Sequence, residues 1–121
     1  MNTRKIGTDM EMLAAGYLIS GGMEILEKNF YTRQGEIDII GMHEGYLVFV
    51  EVKYRKSTRY GEAESAVDIH KQRRICKAAD YYRYIHHYGD DTAVRYDVLA
   101  IQGDEVHWIK NAFQHIYTGK R

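Results

Sequence analysis

At 121 residues the chain has the commonest length of a single domain, enough to bury one core and too little for a second, so one domain over 1–121 is expected. Its 45% hydrophobic and 28% charged residues are those of a globular protein, and the lack of Pro and of Ser-rich tracts excludes long linkers and low-complexity disorder. Seventeen basic residues balance seventeen acidic ones, which excludes a global field drawing the protein onto nucleic acid; such binding has to come from a local patch or a bound cation.

In chain order, apolar residues recur at helical spacing from Ile6 through Met10, Leu13 and Tyr17. Ala14 and Leu18 widen this stripe and Gly21-Gly22 follows as a stop signal, so an amphipathic helix is expected. Met23 to Tyr31 reads as an edge strand. Gly35 opens a second strand through Ile40, Gly41 to Gly45 is turn material, and Tyr46 to Tyr54 is a third strand. This third strand is apolar until Glu51, so both its faces are expected to be covered and the strand to lie centrally in its sheet. Ala63 to His87 predicts a long helix whose apolar face carries Ile75, Ala78, Ala79, Tyr82 and Ile85. Ala93 to Ile101 and Glu105 to Lys110 are the last two strands, and Asn111 to Tyr117 is a short terminal turn of helix. The order α-β-β-β-α-β-β predicts an α/β protein with a mixed central β-sheet flanked by helices.

Two charges close the apolar third strand. Side chains alternate along a strand, so Glu36, Asp38 and Ile40 share one face of the second strand, and Leu47, Phe49, Glu51 and Lys53 one face of the third. A two-residue turn between Met42 and Gly45 sets Asp38 opposite Phe49 and Glu36 opposite Glu51. Every register of that parity keeps Asp38 and Glu51 on one side of adjacent strands. Two carboxylates on a covered face oppose each other's ionisation through desolvation and like-charge repulsion, and a shared divalent cation removes both penalties. Mg²⁺ or Mn²⁺ held by Asp38 and Glu51 would acidify a water for phosphodiester hydrolysis. Lys53 could then position that water or neutralise charge building on the phosphate. The plainer reading is a solvated sheet face with cross-strand ion pairs. The apolar Leu47, Val48, Phe49, Val50 and Val52 around Glu51 argue against it, since buried unpaired charge is seldom kept without a function.

Gly35-Glu36-Ile37-Asp38-Ile39-Ile40 and Val48-Phe49-Val50-Glu51-Val52-Lys53-Tyr54-Arg55 together resemble the YraN family of small bacterial proteins, similar to archaeal Holliday-junction resolvases. The resemblance runs over almost the whole chain, through Gly7, Glu11, Ala14, Tyr17, Leu18, Asn29-Phe30, Lys71, Ile75, Arg95-Tyr96-Asp97-Val98 and Asn111-Ala112-Phe113. It implies a restriction-endonuclease-like PD-(D/E)XK fold with Asp38 and Glu51 as metal ligands, Lys53 as the catalytic lysine and Glu11 as an accessory carboxylate from the first helix. Ile37 stands where the motif name has Pro, at a position that supplies no ligand. The family carries no settled substrate.

Glu11 has a second reading, because Thr8-x-x-Glu11 matches a capping box; a helix beginning near Thr3 would instead make Glu11 interior and carry it towards the core. Lys71 lies four residues before Ile75, in line with the buried stripe, and either snorkels from the helix end or reaches the site or a phosphate. Arg73, Arg74 and Lys77, with Arg55, Lys56 and Arg59, form a candidate DNA-facing rim in which Arg55, Lys71 and Arg74 are the named contacts. Tyr81, Tyr82, Tyr84 and Tyr88 point different ways on one helix and read as packing rather than stacking platforms, and the histidines form no metal-ligand spacing. Cys76, the only cysteine, cannot form an intrachain disulfide and reads as a small buried side chain. The longest apolar run, Tyr46 to Val50, is far short of the ~20 residues of a membrane span, and no apolar leader is seen, so a cytoplasmic protein without a membrane partner is expected.

The expected function is therefore a Mg²⁺- or Mn²⁺-dependent endonuclease on DNA, with branched or junction DNA as one substrate class and a homodimer as the assembly that would suit it. The alternative is a catalytically silent nucleic-acid-binding or partner-binding module on the same fold, which the neutral net charge favours.

Overall fold

A computed structural model describes the backbone of residues 3–55 and 67–117, with side chains from 10 to 54 and from 67 to 117. The elements are α1 (Thr3–Ser20), β1 (Glu24–Tyr31), β2 (Glu36–His43), β3 (Tyr46–Arg55), α2 (Ile69–Ile85), β4 (Val94–Gln102) and β5 (Glu105–Phe113). The strands form one mixed sheet in the order β1-β2-β3-β4-β5. Only β3 and β4 run parallel, which requires a long crossover, and α2 lies on it. The apolar β3 is the middle strand and β1 an edge, as expected.

Each face of the sheet is covered by one helix. Ala14 and Leu18 of α1 pack on Ile39, Val48, Val50, Leu99 and Ile101. Ile75, Ala78, Ala79 and Tyr82 of α2 pack on Ile37, Phe49 and Tyr96, with Cys76 fully buried among them. Helix α1 stops where Gly22 takes φ +99, a left-handed conformation. There the N–H groups of Gly22 and Met23 reach back to the carbonyls of Ile19 and Leu18 at 2.9 and 3.0 Å, a Schellman ending.

Several boundaries differ from expectation for physical reasons. The buried face of α1 is Ala14, Ala15 and Leu18, whereas Leu13 and Tyr17 are largely exposed; the helix rolls its small residues onto the sheet, where they permit closer approach. Helix α2 begins at Ile69 because the Asp68 side chain accepts the Lys71 N–H at 2.9 Å, and residues 63–66 of the expected helix lie outside the described residues. At its other end His86 is the C-cap, and Ile85 is exposed rather than part of the apolar face. No terminal turn of helix forms over Asn111 to Tyr117: β5 continues to Phe113, which pairs with Tyr96 across a bulge and stacks on its ring. Asn111 takes φ 54 there, and its N–H is held by Asp97 Oδ1 at 2.9 Å. Finally, β2 runs on to His43, and the turn is Glu44-Gly45 with positive φ at both residues, the twist that a two-residue hairpin demands.

Candidate active site

The longer β2 moves the hairpin register by two residues from the expected one. Ile39 pairs with Val50, the last pair of the β2–β3 ladder, so Asp38 and Glu51 are the next residues beyond its end, one on each strand. Beyond it β2 stays paired with β1 alone, through Ile37 to Phe30 and Glu36 to Tyr31. Ile37 and Ile39 also pack in opposite cores although they are two apart, so β2 departs from regular alternation at Asp38. The departure brings the Asp38 carboxylate towards the sheet plane, where Oδ2 accepts the Val52 N–H at 2.8 Å, a donor that the broken ladder leaves without a strand partner. Asp38 is therefore not simply on the face shared by Glu36 and Ile40; it sits at the seam between the two sides.

Glu51 is 4% exposed at the end of the core stretch of β3. Its Oε2 receives two ammonium groups, Lys71 Nζ from the first turn of α2 at 3.0 Å and Lys53 Nζ at 3.5 Å. The Asp38 carboxyl is pushed up to about 7, chiefly by burial and then by the charge and a side-chain hydrogen bond of the adjacent Glu51, against the opposing hydrogen bond from Val52. Two carboxylates are thus forced together in a half-dry place.

On the α1 side of the seam a cavity of about 190 Å³ is lined by Asp38, Glu11, Met10, Lys28, Asn29 and Tyr54, among others. Glu11 is interior to α1, which begins at Thr3, so it is no capping residue; it is exposed and faces this cavity rather than the core. On the α2 side a second cavity of about 170 Å³ is lined by Lys71, Arg74, Glu36, Ile75 and Gly35. A Cβ on Gly35 would come within 2.9 Å of the Arg74 carbonyl, so glycine is what lets the start of β2 lie against α2. Arg74 is exposed beside Lys71, Arg55 is the last residue of β3 with its side chain outside the described residues, and so are Lys56 and Arg59.

Among the described residues no group of three or more His, Cys, Asp and Glu side chains is placed to hold a metal. What the seam offers is two carboxylates. That donor set fits a hard cation such as Mg²⁺, which commonly takes one or two protein carboxylates and fills its other positions with water and substrate oxygens.

A second polar cluster was not legible from spacing. Asp97, fully buried on β4, accepts from Arg95 Nε at 2.9 Å, Trp108 Nε1 at 2.7 Å and the Asn111 N–H. Arg95 Nη2 lies 2.9 Å from His43 Nδ1, and His43 Nε2 lies 3.1 Å from the Gly21 carbonyl. Arg95 can only donate and the carbonyl can only accept, so His43 carries its proton on Nε2. The one signal in the sequence was the alternation of Arg95 and Asp97 in an otherwise apolar strand.

The pKa of Asp38 has a measurable consequence. Between about pH 4 and 7 the folded state holds a proton on Asp38 that the unfolded chain releases, so wild-type stability falls through that window and the penalty is complete above it. Asp38→Asn, which keeps an acceptor for Val52, is therefore expected to be up to about 4 kcal/mol more stable than wild type near pH 8.5 in EDTA, the gain vanishing towards pH 4. Parallel pH–stability curves for the two proteins would contradict this account of the seam.

The described residues contain no helix long and apolar enough to cross a membrane. A model of the uncharacterised protein family UPF0102 matches residues 10–101 of the chain. The chain is 45% identical to a UPF0102 protein of Lachnoclostridium phytofermentans, with 93% of this chain and 96% of the relative covered. It is 41% identical to one from Fusobacterium nucleatum, covering 92% of each. It is 42% identical to one from Alcanivorax borkumensis, covering 91% and 92%.

Proposed function

The chain belongs to the uncharacterised protein family UPF0102, and starting from that membership we propose that it is a Mg²⁺- or Mn²⁺-dependent endonuclease acting on DNA. The observation that carries the reading is the seam: Asp38 and Glu51 meet at the end of the central strand, with Lys53 and Lys71 on the same Glu51 oxygen. When bound between the carboxylates, the ion would supply Lewis-acid charge stabilisation and an acidified water. Asp38 and Glu51 would hold it, and the backbone N–H of Val52 keeps the Asp38 carboxylate oriented. Lys53, tethered on the same strand, is set to hold the attacking water or to balance charge on the phosphate. Glu11 faces Asp38 across the α1-side cavity, where it could orient water. Arg74, with Arg55 at the end of β3, supplies the local cations that a neutral protein needs for a phosphate backbone. DNA whose two strands must be cut with related geometry, as at a junction, would suit a homodimer.

One observation favours a silent binding module instead: the two lysines already neutralise Glu51 without any cation. The readings part in one assay. Purified protein incubated with supercoiled, linear, single-stranded and four-way-junction DNA is expected to cut at least one of them with Mg²⁺ or Mn²⁺ and none in EDTA. Retention of DNA without cleavage under every metal condition would favour the module.

A further inference from the structure

Lys71 is the side chain whose position exceeds what a surface lysine needs. Its ammonium makes the shorter of the two contacts to Glu51, at 3.0 Å, a charge-assisted hydrogen-bond distance. The helix start is fixed beneath it, since its own N–H is capped by Asp68 and Gln72 Nε2 holds the Val67 carbonyl at 3.0 Å. Yet the two lysines differ in freedom. Lys53 sits on the same strand as Glu51 and is 21% exposed, whereas Lys71 reaches over from α2 and remains 35% exposed, with a path to solvent. That path opens on the cavity it shares with Arg74 and Glu36, where an anion would meet two cations and one carboxylate.

Glu51 is too buried to be left unpaired at low cost, so some cation has to sit on it in every state. An ammonium 3 Å from that oxygen and a divalent ion on the same carboxylate repel strongly at such separations. We propose that Lys71 is an exchangeable counter-ion: it neutralises Glu51 in the resting protein, gives up the carboxylate when a divalent cation binds, and its freed ammonium then contacts a substrate phosphate beside Arg74. The inference rests on the nuclease reading of the seam and adds a coupling to it. Metal and DNA promote each other's binding through one side chain, and by linkage the promotion is the same in both directions.

The test uses the full-length protein with two readouts, Mn²⁺ affinity by calorimetry without DNA, and affinity for fluorescent junction DNA in Ca²⁺ against EDTA. Lys71→Met is expected to bind Mn²⁺ several-fold more tightly than wild type, because the competing cation is gone, and to lose most of the Ca²⁺-dependent gain in DNA affinity. A lysine that merely braces the fold would change the melting temperature and neither of these. Should Lys71→Met fail to fold, Lys71→Gln, which keeps a donor for Glu51, is read in the same way. Mn²⁺ binding that is unchanged or weaker, with the Ca²⁺-dependent gain intact, overturns the exchange. Wild type that binds Mn²⁺ while Asp38→Asn does not leaves the nuclease reading standing in that event. Wild type that binds no Mn²⁺ removes both.

Discussion

Asp38→Asn, Glu51→Gln and Lys53→Met are each expected to lose at least ~10³-fold in cleavage rate on whichever DNA the wild type cuts, roughly 4 kcal/mol of transition-state stabilisation. The expectation follows from the seam. Asn in place of Asp38 still accepts the Val52 N–H but no longer offers an anion, and Gln in place of Glu51 removes the charge to which both lysines are drawn. Since the three would act as a unit, the double variants should lose little more than the worst single one. Each variant has to be shown folded by circular dichroism and by its melting curve. Undiminished cleavage by folded Asp38→Asn, freed of contaminating nuclease, would remove the seam from the mechanism.

Asp97→Ala is expected to be the most destabilising single change outside the hydrophobic core, at about 3–5 kcal/mol, because it leaves Arg95 buried without its anion. Trp108 Nε1 and the Asn111 N–H would lose their acceptor as well. Glu44, 3.8 Å from Arg95 Nη1 and exposed, is too solvated to replace Asp97. Replacing both partners by apolar residues, Arg95→Met with Asp97→Leu, should cost less than Asp97→Ala alone, since no charge is then stranded. Urea unfolding measures both. A loss under 1 kcal/mol for Asp97→Ala would mean that Arg95 finds another anion or water. The network ties α1's C-terminal end, the β2–β3 turn, β4 and β5 together away from Glu11, which lies in the middle of the helix, so its failure should be seen in stability before it is seen at the seam.

The sequence by itself determined the element order and the central place of β3, because hydrophobic period and run length are local properties that survive without knowledge of partners. Strand parity predicts Asp38 and Glu51 on one shared face, but β2 breaks its alternation at Asp38, and the two carboxylates are neighbours at the seam between the faces instead. Only the tertiary structure decided the rest. The register depended on a turn with Glu44 in a positive-φ conformation, where Glu carries little local signal. The buried face of α1 was decided by what the sheet could receive, Ala14 and Leu18 rather than Leu13 and Tyr17. Asn111 stayed in a strand because Asp97, fourteen residues away, holds its N–H. Lys71 and Glu51 are twenty residues apart, and His43 and Arg95 fifty-two, distances over which no periodicity runs. Long-range ion pairs and hydrogen bonds leave only a charge in an apolar strand as their trace, and folding alone selects the partner.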